Sequence, residues 1–140
     1  MGAYLYFLFT PSSPPPLFVF FNHKQQVLSV LPERLKQIHT LMPVWIYLKN
    51  EEGEIAHHSL NQQQEVEQIV KMAGSTTKIV PVINNHNGID WQVKTVESLF
   101  RDRGKQQIFL DKTIAYLKKS QFQMINFDFE GFPEELIPSY

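Results

Sequence analysis

The stretch Ile125-Asn126-Phe127-Asp128-Phe129-Glu130-Gly131-Phe132-Pro133-Glu134-Glu135 decides how this chain is read. Side chains alternate along a β-strand, so a strand here points Asn126, Asp128 and Glu130 to one face and Ile125, Phe127 and Phe129 to the other. At about 3.3 Å of rise per residue, successive members of the polar set stand about 6 to 7 Å apart, close enough to act on one small substrate group. Gly131 and Pro133 end the run and leave Glu130 at the strand's carboxyl end, where parallel α/β folds bind ligands. The alternative is an amphipathic strand whose polar face is only solvated. Against it, the other strand candidates are apolar on both faces, the mark of a buried parallel sheet, where an idle polar face is costly.

Upstream, strand and helix patterns alternate. Leu17 to Phe21 is a short two-sided apolar run, predicting the first parallel strand. Pro32 suits the first turn of a helix whose apolar stripe is Leu31, Leu35 and Ile38. Leu41 to Leu48 predicts a second strand that tolerates Pro43 near its start and carries Trp45 and Tyr47 on one face near its end. A charged turn over Asn50 to Glu54 bends at Gly53. Asn61 to Ala73 has helical spacing in Val66, Ile69, Val70 and Ala73, with Gly74 as the stop. Lys78 to Ile83 is a third buried strand, breaking into the turn formers Asn84 to Gly88. Val93 to Phe100 predicts a short helix, Gly104 an interruption, and Gln106 to Lys119 a further helix ending in two lysines. Phe122 to Phe129 is then the fourth strand. This succession of βαβ units predicts an α/β fold with a parallel sheet and helices outside. Half of an eightfold barrel and a small open doubly wound sheet both satisfy it.

Composition narrows the function classes. A chain of 140 residues is sized for one domain, and 43% hydrophobic content makes it globular. Thirteen basic against fourteen acidic residues leave no electrostatic footprint for nucleic acid. The absence of cysteine excludes disulfides and thiolate metal sites. His57 and His58 are adjacent and therefore diverge, no His-Glu-x-x-His spacing exists, and both read as surface-loop residues. No metal site and no cofactor is expected.

Residues 1–16 form a separate leader. Ala3 to Phe9 is strongly apolar but far shorter than the roughly twenty residues of a membrane-spanning helix. Pro11 to Pro16 is stiff and extended. Together they look like the end of a membrane anchor and its spacer, although an ordinary leader fits equally. The anchor reading implies an extracytoplasmic domain over residues 17–140.

At Asn126 to Glu130 the sequence resembles glycoside hydrolase family 18, the chitinase-like (β/α)8 barrels. That family's fourth strand carries D-G-x-D-x-D-x-E. The matching residues here are Gln123, Met124, Ile125, Asn126, Phe127, Asp128, Phe129 and Glu130. The last two acids are kept, whereas the first two residues and the outer aspartate are replaced. The runs LFVFFN, LMPVWIYL, KIVPVINN and INFDFE also resemble the branch fused in bacteria to polysaccharide deacetylase and glycosyltransferase modules. The resemblance spans the chain but only the amino-terminal half, strands one to four, of a barrel. A carboxyl-terminal half-barrel or a partner is then expected to cover the free strand edges, and the chain alone is expected to be inactive.

The resemblance implies a glycosidase for N-acetylated oligo- or polysaccharides. Glu130 is then the general acid, while the substrate's own N-acetyl carbonyl replaces an enzymic nucleophile. Asp128 orients and stabilises the acetamido group and, being charged, keeps a proton on Glu130. Asn126, in place of an acid, can only hydrogen-bond to Asp128, so altered tuning is expected. A family tyrosine that contacts the acetamido carbonyl falls after the fourth strand and has no match here. Asn22, Tyr47, Asn84 and Asn85 lie at the ends of the first three strands and are candidates for sugar contacts, against turn or capping roles. Trp45 and Trp91 are both candidate stacking surfaces, against the buried core place that is the commoner fate of a tryptophan, with Trp91 ahead because it sits in the loop after the third strand. A non-catalytic, chitinase-like glycan-binding domain is the alternative, and a purely structural domain the third reading.

Overall fold

The computed structural model describes residues 18–21, 25–59, 62–74 and 77–139. Leader residues 1–16 and the candidate Asn22 lie outside them.

Strand β1 (Phe18–Phe21) leads through helix α1 (Gln25–Arg34) into β2 (Thr40–Leu48), and β3 (Ile55–His57) returns antiparallel along β2. Helix α2 (Gln62–Ala73) precedes β4 (Lys78–Ile79) and β5 (Val82–Asn84). Helices α3 (Val93–Arg101) and α4 (Arg103–Ser120) lead to β6 (Asn126–Asp128). The main strands lie in the order β1-β2-β5-β6, each parallel to its neighbour. Sequential parallel neighbours joined by helices are the arrangement of part of a (β/α)8 barrel, in which each new strand adds to the same edge.

The core lies between the sheet and the helices. Leu41, Trp45, Ile46, Leu48 and Ile83 from the strands meet Leu31, Leu35, Val66, Ile69, Val96, Leu99 and Phe109 from the helical layer. The stripe expected on the first helix is therefore buried, but that helix runs ahead of Pro32 instead of starting at it. Pro32 removes the amide that would bond the Leu28 carbonyl in the last turn, and the chain then tightens into a 3-10 turn at Leu35–Gln37. Thr77 Oγ1 is 3.0 Å from both the Leu35 and Ile38 carbonyls and ties this turn to the start of β4.

Four further expectations are corrected. The third strand is two pieces, Lys78–Ile79 and Val82–Asn84, both paired to β2, because Pro81 between them has no amide to donate. Asn84 is the last residue of β5, and its side chain opens the turn from there by accepting the His86 amide. The break between α3 and α4 falls on Asp102, whose carboxylate accepts from the Gly104 and Lys105 amides; Gly104 sits inside the first turn of α4. The fourth strand is only Asn126–Asp128, since α4 runs on to Ser120 and Gln121 caps it in the left-handed region.

The hairpin β2–β3 was not legible as a strand pair. Its turn bends at Gly53, φ +84°, which the charged run had marked. A Cβ on Gly53 would stand 2.6 Å from the Lys105 carbonyl oxygen, so only glycine lets the hairpin tip rest on α4.

Candidate active site

A bulge in β2 sets which side chains face the concave side of the sheet. Val44 pairs with Val82, but the next partners are Ile46 with Ile83 and then Tyr47 with Asn84, leaving Trp45 as the extra residue. Paired residues on parallel strands share a face. Val44, Tyr47, Val82 and Asn84 thus lie on one side, and Ile46 and Ile83 on the helix side. The expected common face for Trp45 and Tyr47 is corrected by that extra residue: Trp45 is fully buried in the core against Phe122, 5.7 Å between ring centroids.

Strand β6 continues the row. Val82 pairs with Asn126, Ile83 with Phe127 and Asn84 with Asp128. Tyr47, Asn84 and Asp128 therefore stand in register at the carboxyl ends of three adjacent strands, with Asn126 one step below, opposite Val82. The alternation expected for Asn126-Phe127-Asp128 is observed. Phe127 faces the helices, where its ring lies 5.7 Å from that of Phe109, although it keeps 36% of its surface.

Asn84 is buried, and its Oδ1 accepts from the His86 amide at 3.3 Å and from His58 Nε2 at 3.2 Å. The His58 ring also packs at a tilt of 40° against Tyr47, 4.9 Å between centroids. His58 thus sits against two candidate site residues, a placement that the surface-loop reading missed. Its backbone amide donates to the Trp45 carbonyl, the bulged residue, and this carries the chain from β3 back over the strand ends. Only the unrecognised β3 would have disclosed that placement. His57 does diverge from it as adjacency requires, pairing with Ile46 and meeting Tyr116 of α4 on the helix side.

Glu130 lies two residues beyond β6 and its side chain is exposed. Its backbone is held by Asn85: the Glu130 amide donates to Asn85 Oδ1 and Asn85 Nδ2 donates to the Glu130 carbonyl, both at 2.9 Å. Asn85 is fully buried, so its amide group faces Glu130's backbone and not solvent. Gly131 follows at φ +76°, where a Cβ would come within 3.1 Å of Val93 Cγ2.

The loop between β5 and α3 rises beside this acid. Asn87 Oδ1 accepts from the Ile89 and Asp90 amides, His86 and Trp91 form an antiparallel bridge, and their rings meet edge to face at 5.0 Å. Trp91 retains 39% of its surface and Ile89 82%. Burial pushes the Asp128 carboxyl above its ordinary value, because the charged form loses water. That acts against the expectation of Asp128 as the readily charged member of the pair. Among the described residues, no group of three or more His, Asp or Glu is placed to hold a metal ion.

No protein-family model and no curated protein matches the chain. Solved structures do. The spore cortex-lytic enzyme SleL of Bacillus cereus superposes with a TM-score of 0.74 at 18% identity, covering 88% of this chain and 29% of that one. A class V chitinase from Pseudomonas fluorescens gives 0.72 at 16% identity, over 89% and 38%. The fold is chitinase-like. A GH18 chitinase from Cycas revoluta, solved with (GlcNAc)3, gives 0.68 at 16% identity, over 87% and 36%. The chain thus spans about a third of the length of each of these chitinase-like neighbours.

Proposed function

We propose that this chain supplies the acid-bearing part of a glycosidase for N-acetylated glycans. The observation that carries the proposal is the row Tyr47, Asn84, Asp128 at the strand ends, with Glu130 just beyond it on a backbone fixed by Asn85. In the mechanism we propose, Glu130 protonates the glycosidic oxygen as the bond to the anomeric carbon breaks. The substrate's N-acetyl oxygen attacks that carbon in place of an enzymic carboxylate. Asp128 accepts the acetamido N–H and stabilises the charge that develops on the ring so formed. Water then opens the intermediate, with Glu130 taking back a proton. Asn126 borders Asp128 as a neutral amide, and Tyr47 and Trp91 offer ring surfaces to the sugar.

Support comes from the sequence pattern, from the chitinase-like fold, and from neighbours that include a cortex-lytic enzyme and a chitinase holding (GlcNAc)3. The active unit in this proposal is the larger barrel, with a carboxyl-terminal half completing the sheet. The apolar and Pro-rich sequence of residues 1–16 supports an extracytoplasmic, membrane-anchored setting, as in the branch fused to polysaccharide deacetylase and glycosyltransferase modules. The test compares a chitooligosaccharide with its de-acetylated counterpart. Turnover confined to the acetylated substrate agrees with assistance by the N-acetyl group; equal turnover contradicts it.

A further inference from the structure

We infer that Asn85 is the positioning residue of the acid: it sets where the Glu130 carboxyl stands without touching the sugar. The inference rests on the glycosidase reading above. Sequence alone made Asn85 a candidate for sugar contact, but its side chain is fully buried and faces the strand end. Its two polar atoms form a two-point clamp, Oδ1 accepting the Glu130 N–H and Nδ2 donating to the Glu130 carbonyl, each 2.9 Å long. Glu130 lies past the last ladder pair of β6, Asn84 with Asp128, so the sheet itself no longer fixes its backbone. The amide side chain of Asn85 takes over as a substitute strand edge. A primary amide is the smallest side chain offering one donor and one acceptor in a plane, the pair a peptide unit requires.

Asn85 is itself anchored. Its carbonyl accepts from the Gln92 amide at 2.7 Å, at the far end of the loop that carries His86 and Trp91. One residue therefore joins the end of β5, the Trp91 loop and the Glu130 backbone. Beyond the acid, Gly131 takes a positive φ against Val93 at the start of α3, which closes the other side of the same turn. Displacing a reacting group by about 1 Å costs on the order of 10²-fold in rate.

The test uses the full-length protein and two variants, Asn85→Asp, which keeps the shape and the acceptor but loses the donor, and Asn85→Ala, which loses both. Two quantities are measured: kcat and KM on an acetylated chitooligosaccharide, and hydrogen exchange of the Glu130 backbone amide. Positioning predicts that kcat falls about 10²-fold in Asn85→Ala and falls also in Asn85→Asp, where a carboxylate oxygen faces the Glu130 carbonyl, with KM within about twofold in both. The Glu130 amide should exchange faster in Asn85→Ala and stay protected in Asn85→Asp. A kcat unchanged despite a released Glu130 amide overturns the positioning role alone, as does a KM that rises while kcat holds, the mark of a sugar contact. An inert full-length protein with a protected Glu130 amide overturns the glycosidase reading and the positioning role with it.

Discussion

Asn84 and Asp128 stand side by side in register on β5 and β6, and the buried Asn84 is already held from its far side by His58 and the His86 amide. Its orientation is thereby set before any ligand arrives, and the Asp128 carboxyl shares its face. Asn84→Leu fills a similar volume but leaves the His86 amide without its acceptor. Chemical denaturation should show a loss of about 1 kcal/mol, the low end of the cost of orphaning a donor, because the His86 amide is only partly buried. A variant as stable as wild type would show that Asn84 does not organise the strand ends.

The raised carboxyl of Asp128 gives a pH signature. Its value lies above the ordinary 3.8 because burial penalises the charged form. The native state therefore binds the proton more tightly than the unfolded chain, and stability declines as pH rises through the window between the two values. The penalty is absent below that window and complete above it. Asp128→Asn should raise Tm at about pH 7 and give no gain near pH 3, where both states are protonated. Equal Tm differences at the two pH values would contradict the desolvation account.

Gly53 offers a test of the hairpin seat. A Cβ there meets the Lys105 backbone oxygen at 2.6 Å, and the residue already lies at positive φ. Gly53→Ala should cost about 2 kcal/mol or more, since neither backbone can yield without moving α4 or β3. Gly88 is also at positive φ but a Cβ would meet open space, so Gly88→Ala should cost about 1 kcal/mol. Denaturant midpoints compare the two.

Trp45 separates packing from polar pairing. Its indole nitrogen is buried and has no hydrogen-bond partner among the described residues, while its ring is fully enclosed beside Phe122. Trp45→Phe should therefore cost under about 1.5 kcal/mol, and Trp45→Ala about 3 to 5. Similar large losses in both variants would mean that the indole N–H has a partner.

The parallel sheet was legible because its strands are apolar on both faces, and the carboxylate strand because Asn126, Phe127 and Asp128 alternate cleanly. Two features were hidden by local chemistry. The bulge at Trp45 adds one residue to β2 without any glycine to mark it, and it decides that Tyr47, not Trp45, joins the site. Residues Ile55 to His57 are too short and mixed to declare a strand, yet β3 delivers His58 to Tyr47 and Asn84. Asn85 looked like a turn former because asparagine is one; its clamp on Glu130 joins residues 45 apart in sequence and is invisible to periodicity.

The central claim is that Glu130 is the proton donor to a glycosidic bond. Its most direct test is the turnover of an N-acetylated chitooligosaccharide by the full-length protein and by Glu130→Gln, with binding of the same sugar measured in parallel. General acid catalysis predicts a loss of about 10² to 10⁴-fold in kcat with binding retained. Unchanged turnover in Glu130→Gln would contradict it.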